Sequence, residues 1–317
     1  MPILECDDLR KTFSDGFEAV RGITFDIAEG EAFGLLGPNG AGKTTTMRML
    51  GTLLTPSGGR ATVAGHDVVR EAGAVRRAIG FAMQEAGLAR YATGREHLLM
   101  MGRLYGLSRA GARARADELL TLFGLEEAAD RQVRTYSGGM RRRIDLACGL
   151  VHKPRLLFLD EPTTGVDPTS RAALWDELRR LQADGVSLFL TTHYLEEADE
   201  LADRLVIVSR GQVVARGTPA ELKATLRGDA VQVEVASADI DRAQALLAAA
   251  GAKPETVLDG RTIVARVKDG GRALPGLLAE LDGAGIAVER VSVSRPSLDD
   301  VYLHYTGRDF TSEDRGG

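Results

Sequence analysis

A chain of 317 residues with 44% apolar content has material for two hydrophobic cores. Its net charge of −5 argues against a general nucleic-acid binder, whose surface would be basic. Cys6 and Cys148 lie in apolar segments and read as small buried residues of a reducing compartment, and with neither a signal-peptide start nor an apolar run of bilayer length, no membrane span of the chain's own is expected.

Residues 1–30 alternate as short strands, with Asp15-Gly16 as a turn. Ala32 to Leu36 is apolar enough for a buried strand, and Thr45 to Leu50 suits the start of a helix. Between them stands Gly-Pro-Asn-Gly-Ala-Gly-Lys-Thr, residues 37–44. A strand that turns through glycines into a helix aims several N–H groups and the positive helix end at one point. Gly37, Gly40 and Gly42 leave room for phosphate oxygens, Lys43 supplies charge to the β/γ-phosphates, and the Thr44 hydroxyl suits Mg²⁺. The pattern predicts a nucleoside triphosphate site, for ATP or GTP.

A second strand group follows near Ala61 to Val69. From Gln84 to about Val151 the spacing of leucines and arginines turns helical, clearest through Glu96 to Leu125. Tyr136-Ser137-Gly138-Gly139-Met140 then precedes the helix-compatible run Arg141 to Val151, a second anion-binding helix start. Arg141-Arg142-Arg143 reads as a solvated helix face. Leu156 to Leu159 is a buried strand ending in Asp160 and Glu161, an outer partner for Mg²⁺ and a carboxylate able to polarise the attacking water. Asp167-Pro168 is a helix start, with the aspartate as cap. Val186 to Leu190 is a further strand, and the alternation runs to about Arg216.

After Gly217-Thr218-Pro219 a helical linker, Ala220 to Leu226, leads to a new unit at Gly228. It reads as a strand at Val231 to Val235, a helix from Ile240 to Ala250, two strands around Asp259-Gly260, a helix through Asp282 and a strand from Ile286 to Val293. The order β-α-β-β-α-β predicts a small α+β ferredoxin-like domain over 228–307, with 308–317 as a tail. It carries no clustered His, Cys or paired acids, so no second catalytic site is expected there; its expected role is dimer contact or regulation, with a stabilising cap as the alternative.

One phosphate chain does not need two helix-start cradles from one subunit; two facing subunits do. With its motifs in this order, residues 1 to about 220 resemble the ATP-binding cassette (ABC) family of P-loop ATPases. The resemblance adds a glutamine loop at Gln84, a signature at Tyr136 to Met140, a D-loop at Gly165-Val166-Asp167-Pro168 and a switch histidine at Thr191-Thr192-His193. It implies an α/β core with a mixed sheet, an antiparallel β subdomain and a helical subdomain at about 85–151. It also implies a head-to-tail dimer, homo- or heterodimeric, with two ATP molecules sandwiched between protomers. Gly37, Asn39, Gly40, Ala41, Gly42, Lys43, Thr44 and Thr45 would cradle the nucleotide, and Ser137, Gly138, Gly139 and Asp167 would join it from the interface. Phe13 would stack on adenine, with Phe17 as its rival. Thr44, Gln84 and Asp160 would hold Mg²⁺, and Glu161, His193 and Gln84 would serve hydrolysis.

The signature departs from the family's commonest form, since Tyr136 replaces leucine and Met140 replaces glutamine. The resemblance further implies membrane permease partners, with residues 85–105 as the candidate contact and ordinary helix core as the other reading of Leu98 to Met101, and a peripheral place on the cytoplasmic face of the membrane. Pro296 to Tyr302 looks like the C-terminal stretch of daunorubicin-resistance-type exporter ATPases. The expected function is the ATPase of an exporter for a drug, antibiotic or lipid-like cargo. The alternatives are an importer's ATPase and a soluble, non-transport ABC ATPase.

Overall fold

The computed structural model describes residues 2–83, 87–226 and 228–306, and the chain divides into two compact units after Thr218. The first unit opens with β1 (Pro2–Thr12), β2 (Glu18–Ala28), β3 (Ala32–Leu36), α1 (Lys43–Leu50), β4 (Gly58–Val63) and β5 (His66–Asp67). It continues through α2 (Ala72–Ala78), β6 (Ile79–Ala82), α3 (Gly94–Leu104), α4 (Arg109–Leu122), α5 (Gly138–Gly149) and β7 (Leu156–Asp160). It ends with α6 (Pro168–Ala183), β8 (Ser187–Thr192), α7 (Leu195–Leu201), β9 (Arg204–Ser209) and β10 (Gln212–Gly217).

Two sheets form because the strands carry two kinds of pattern. β1 and β2 alternate buried and exposed residues and pair antiparallel in a sheet of order β2-β1-β4-β5. Gly16, at φ +85°, makes the turn between them, and Asp15 Oδ1 accepts the Phe17 N–H at 2.9 Å. β3, β7 and β8 are buried at every residue, as continuous apolar strands covered on both faces must be. They lie in the second sheet, order β10-β9-β3-β8-β7-β6, parallel except for β10. Phe25 and Phe33 stack at 4.8 Å and Phe189 lies 5.9 Å from each, an aromatic seam joining the two sheets.

Parallel pairing places three strand ends side by side, with Leu36 beside Thr192 and Asp160 beside Thr191. The loops after β3, β8 and β7 therefore leave from one edge, where ligands of open parallel sheets bind. The helical region begins later than its sequence pattern suggests, at α3, where Thr93 and Glu96 form a capping box. Ser108, Ser137 and Asp167 cap α4, α5 and α6.

The second unit comprises α8 (Pro219–Thr225), β11 (Asp229–Val235), α9 (Ile240–Ala249), β12 (Lys253–Leu258), β13 (Thr262–Val267), α10 (Gly270–Gly283), β14 (Val288–Ser294) and α11 (Leu298–Thr306). Its sheet is antiparallel in the order β12-β13-β11-β14, the ferredoxin-like arrangement. Val231, Val233, Ile263, Leu277 and Leu281 belong to its own core. The stretch read as a linker is α8, which packs against α11 with Leu222 and Leu226 buried. Buried Arg266 ties α11 to the sheet by pairing with Glu255 at 3.0 Å and Asp300 at 3.2 Å. Among the described residues no helix is long and apolar enough to cross a membrane.

Candidate active site

The loop after β3 is built on glycines that the fold itself requires. A Cβ at Gly37 would stand 2.4 Å from Val208 O, and one at Gly42 would stand 2.4 Å from Ala19 O. Gly40, at φ +78°, has open space where its Cβ would be, so there backbone conformation alone demands glycine. Thr46 Oγ1 donates to Gly42 O at 2.9 Å and fastens the first turn of α1. Lys43 is buried, and its Nζ donates to Gly37 O at 2.7 Å and Pro38 O at 3.1 Å. Its ammonium also stands 3.6 Å from Glu161 Oε1.

Asp160 receives two hydroxyls on one oxygen, from Thr44 Oγ1 at 3.1 Å and Thr191 Oγ1 at 2.6 Å. Oxygen donors of this kind, a hydroxyl beside a carboxylate, fit Mg²⁺. Glu161, the next residue, is held at φ +47°, a conformation that costs a non-glycine residue about 1 kcal/mol or more. Its amide donates to Thr191 O at 3.0 Å, and Thr164 Oγ1 donates to its Oε2 at 3.2 Å. His193 Nδ1 lies 3.1 Å from Glu161 Oε1. Burial raises the Glu161 pKa, but His193, Lys43 and Thr164 outweigh it and bring the carboxyl below its ordinary value. The result is a buried, ionised carboxylate between an ammonium and an imidazole.

Ser137 and Gly138 are exposed at the start of α5, where Ser137 Oγ accepts the Met140 N–H at 3.2 Å. Gly139 is packed under Ser170, which a Cβ would approach to 3.0 Å. Tyr136 is buried, and its hydroxyl donates to Ala128 O at 2.6 Å, so this departure from leucine is a core feature of the helical region. Met140 packs against the same core. Asp167 caps α6 by accepting the Ser170 N–H at 3.0 Å, and that bond leads the interactions lowering its pKa. Phe13 and Phe17 are both exposed near the hairpin turn, their rings 6.5 Å apart and 14° from parallel, with Lys11 Nζ 5.5 Å from the Phe13 ring. Gln84 lies outside the described residues.

The arginine run is not a uniform solvated face. Arg141 is exposed, but Arg142 is buried, and Arg143 pairs with Glu177 at 3.0 Å. Arg142 Nε donates to Pro162 O at 2.8 Å and Nη2 to Asp160 O at 3.1 Å. Its Nη1 donates to Met83 O and, at 3.1 Å, to Asp145 Oδ2. Helical spacing carried the signal, since Gly139, Arg142 and Leu146 repeat at i, i+3 and i+7 on one buried face. Sequence reasoning also missed Thr164 and Thr191, because a lone threonine has no spacing that marks it.

Fold and site together define a nucleoside triphosphatase: a glycine cradle with its lysine, an acidic strand end and a histidine beside the carboxylate. Residues 20–164 match the ABC transporter family, and residues 217–306 match the C-terminal domain of DrrA1-3-like ATP-binding proteins. The chain is similar to the daunorubicin resistance ATP-binding protein DrrA3 of Streptomyces coeruleorubidus, at 50% identity over 96% of this chain and 95% of that protein. Its fold is similar to cbiO1 of Clostridium perfringens, part of the ABC transporter complex cbiONQ, with TM-score 0.66, 29% identity, and 70% and 91% of the two chains covered. It is also similar to a dimeric ATP-binding cassette bound to ADP and Pi in a post-hydrolysis state, with TM-score 0.63, 25% identity, and 68% and 98% covered. The chain belongs to the ABC transporter family, as an ATP-binding and ATP-hydrolysing subunit.

Proposed function

We propose that this chain drives the export of an antibiotic- or drug-like compound through separate membrane subunits, and that it works as one of two antiparallel ATPase protomers at the cytoplasmic face of the membrane. The observation that carries the dimer is the start of α5. Ser137 and Gly138 stand exposed there, a second helix start open to a phosphate, while Lys43 is turned to the carbonyls of Gly37 and Pro38 in its own loop. A dimeric cassette among the structural relatives supports the same arrangement, and the name of the Streptomyces relative supports the cargo class. Permease docking falls to the helical region, with residues 85–105 as the candidate contact.

In this reading Lys43 exchanges the carbonyls of Gly37 and Pro38 for the β/γ-phosphate oxygens, and the N–H groups of residues 40–45 cradle the same phosphates. Phe13 or Phe17 stacks on adenine. Thr44, Asp160 and Gln84 would hold Mg²⁺, which when bound offsets phosphate charge. Glu161 orients and polarises the attacking water, and His193, beside it, holds the γ-phosphate edge of the site. Ser137, Gly138 and Gly139 reach the phosphates held by the other protomer, with Asp167 at the same seam.

Glu161→Gln removes the base while keeping size and one hydrogen-bond acceptor. Loaded with MgATP, this variant should sediment as a dimer and co-purify with a multi-helix membrane protein. A strictly monomeric species, with and without that membrane partner, would sink the proposal.

A further inference from the structure

We propose that Arg142 is a positioning residue for hydrolysis, a clamp on α5 that holds Glu161 in its left-handed kink. The inference rests on the assignment of Glu161 as the water-activating carboxylate. The guanidinium grips the carbonyls of Asp160 and Pro162, the residues on either side of Glu161, at 3.1 and 2.8 Å. It also takes the carbonyl of Met83 and is anchored within its own helix by Asp145 at 3.1 Å. One planar group thus joins three chain segments, an arrangement that suits arginine and no other side chain.

The clamp matters because Glu161 sits at φ +47°, where the backbone gains nothing by staying. Freeing the Asp160–Glu161 peptide plane, and the Pro162 carbonyl one plane beyond Glu161, lets that kink relax. A rotation of about 15° there moves a glutamate carboxylate by about 1 Å, and a misplacement of that size lowers turnover by about 100-fold. Lys43 and His193 hold the carboxylate only by its far end, at 3.6 and 3.1 Å. The backbone at Glu161 is fixed by Thr191 on its amide, by the Thr164 N–H on its carbonyl at 3.2 Å, and by Arg142 on the carbonyl just before it. Arg142 is also five residues along the helix that begins at Ser137, so a phosphate seated on Ser137 in the dimer would press on the Glu161 of the same protomer through a rigid element. Each site would then report its occupancy to the other.

The test uses the full chain with Arg142→Gln and Arg142→Lys, measuring thermal midpoint, ATP affinity, KM and kcat. Arg142→Gln should lower kcat by about 10- to 100-fold, with KM and ATP affinity changed less than about threefold. Arg142→Lys keeps a charge for Asp145 and should recover most of the thermal midpoint. It should not recover kcat, because one ammonium cannot span the carbonyls of Asp160, Pro162 and Met83. The proposal is overturned if kcat stays at the wild-type value in Arg142→Gln, if kcat returns in step with stability in Arg142→Lys, or if ATP affinity falls by the same factor as kcat. It is overturned too if neither variant melts cooperatively, since Arg142 is then a folding residue. Glu161→Gln run alongside separates the two readings: normal turnover in that variant removes the base assignment, whereas a stalled Glu161→Gln with an unslowed Arg142→Gln removes only the clamp.

Discussion

Lys43 is a buried cation paired with Glu161 and hydrogen-bonded to two carbonyls of its own loop, the contacts that the proposed phosphate would replace. A charge-assisted contact of this kind contributes about 2–3 kcal/mol, and Lys43→Ala should weaken ATP binding by about 100-fold in an equilibrium binding assay. Glu161→Gln acts on the other limb of the site. It should slow turnover by about 10² to 10⁴-fold and leave ATP affinity near wild type, a split that steady-state kinetics and direct binding resolve together. Lys43, Asp160 and Glu161 were legible in the sequence because each stands at a fixed offset from a strand end. Thr191 and Thr164 were not. Their partners, Asp160 and Glu161, come from a different strand in one case and from across a tight turn in the other.

α5 carries more than its exposed start. Asp145, buried on its inner face, has its carboxyl pushed up from 3.8 to about 6 by burial, with Arg142 opposing. A folded pKa above the unfolded one means that the folded state binds the proton more tightly. The contribution to stability is therefore fully present below pH 4 and is lost as the pH rises through 6. A difference of that size corresponds to about 2–3 kcal/mol. Asp145→Asn should flatten the pH dependence of unfolding between pH 4 and 7 by that amount, read from denaturant titrations at several pH values. An unchanged slope would show that Asp145 titrates normally. The same helix exposes the limit of reading charge runs by composition: three adjacent arginines take three different environments, because a helix turns each by 100° from the last.

The two compact units have separate cores: the first holds two apolar clusters, one between its sheets and one in the helical region, and the second holds one around β11, β13, α9 and α10. Independent cores predict independent folding. A fragment of residues 219–306 should melt cooperatively alone, and calorimetry of the full chain should resolve two transitions; a fragment without a cooperative transition would show that its sheet depends on the first unit. The β-α-β-β-α-β order of the second unit could be read from local signals, since Asp259-Gly260 and the helix spacing are short-range features. The share of α8 could not, because a short polar-faced helix looks the same whether it links two units or packs on α11. Local chemistry settled the phosphate loop, the acidic strand end and the strand–helix alternation, since glycine conformation and apolar periodicity act over a few residues. Folding in three dimensions settled which carboxylate meets Lys43 and His193, why Tyr136 belongs to the core and where Arg142 points. The contacts of Glu161 with Lys43 and His193 join residues 118 and 32 positions apart, and the parallel sheet brings those loops together.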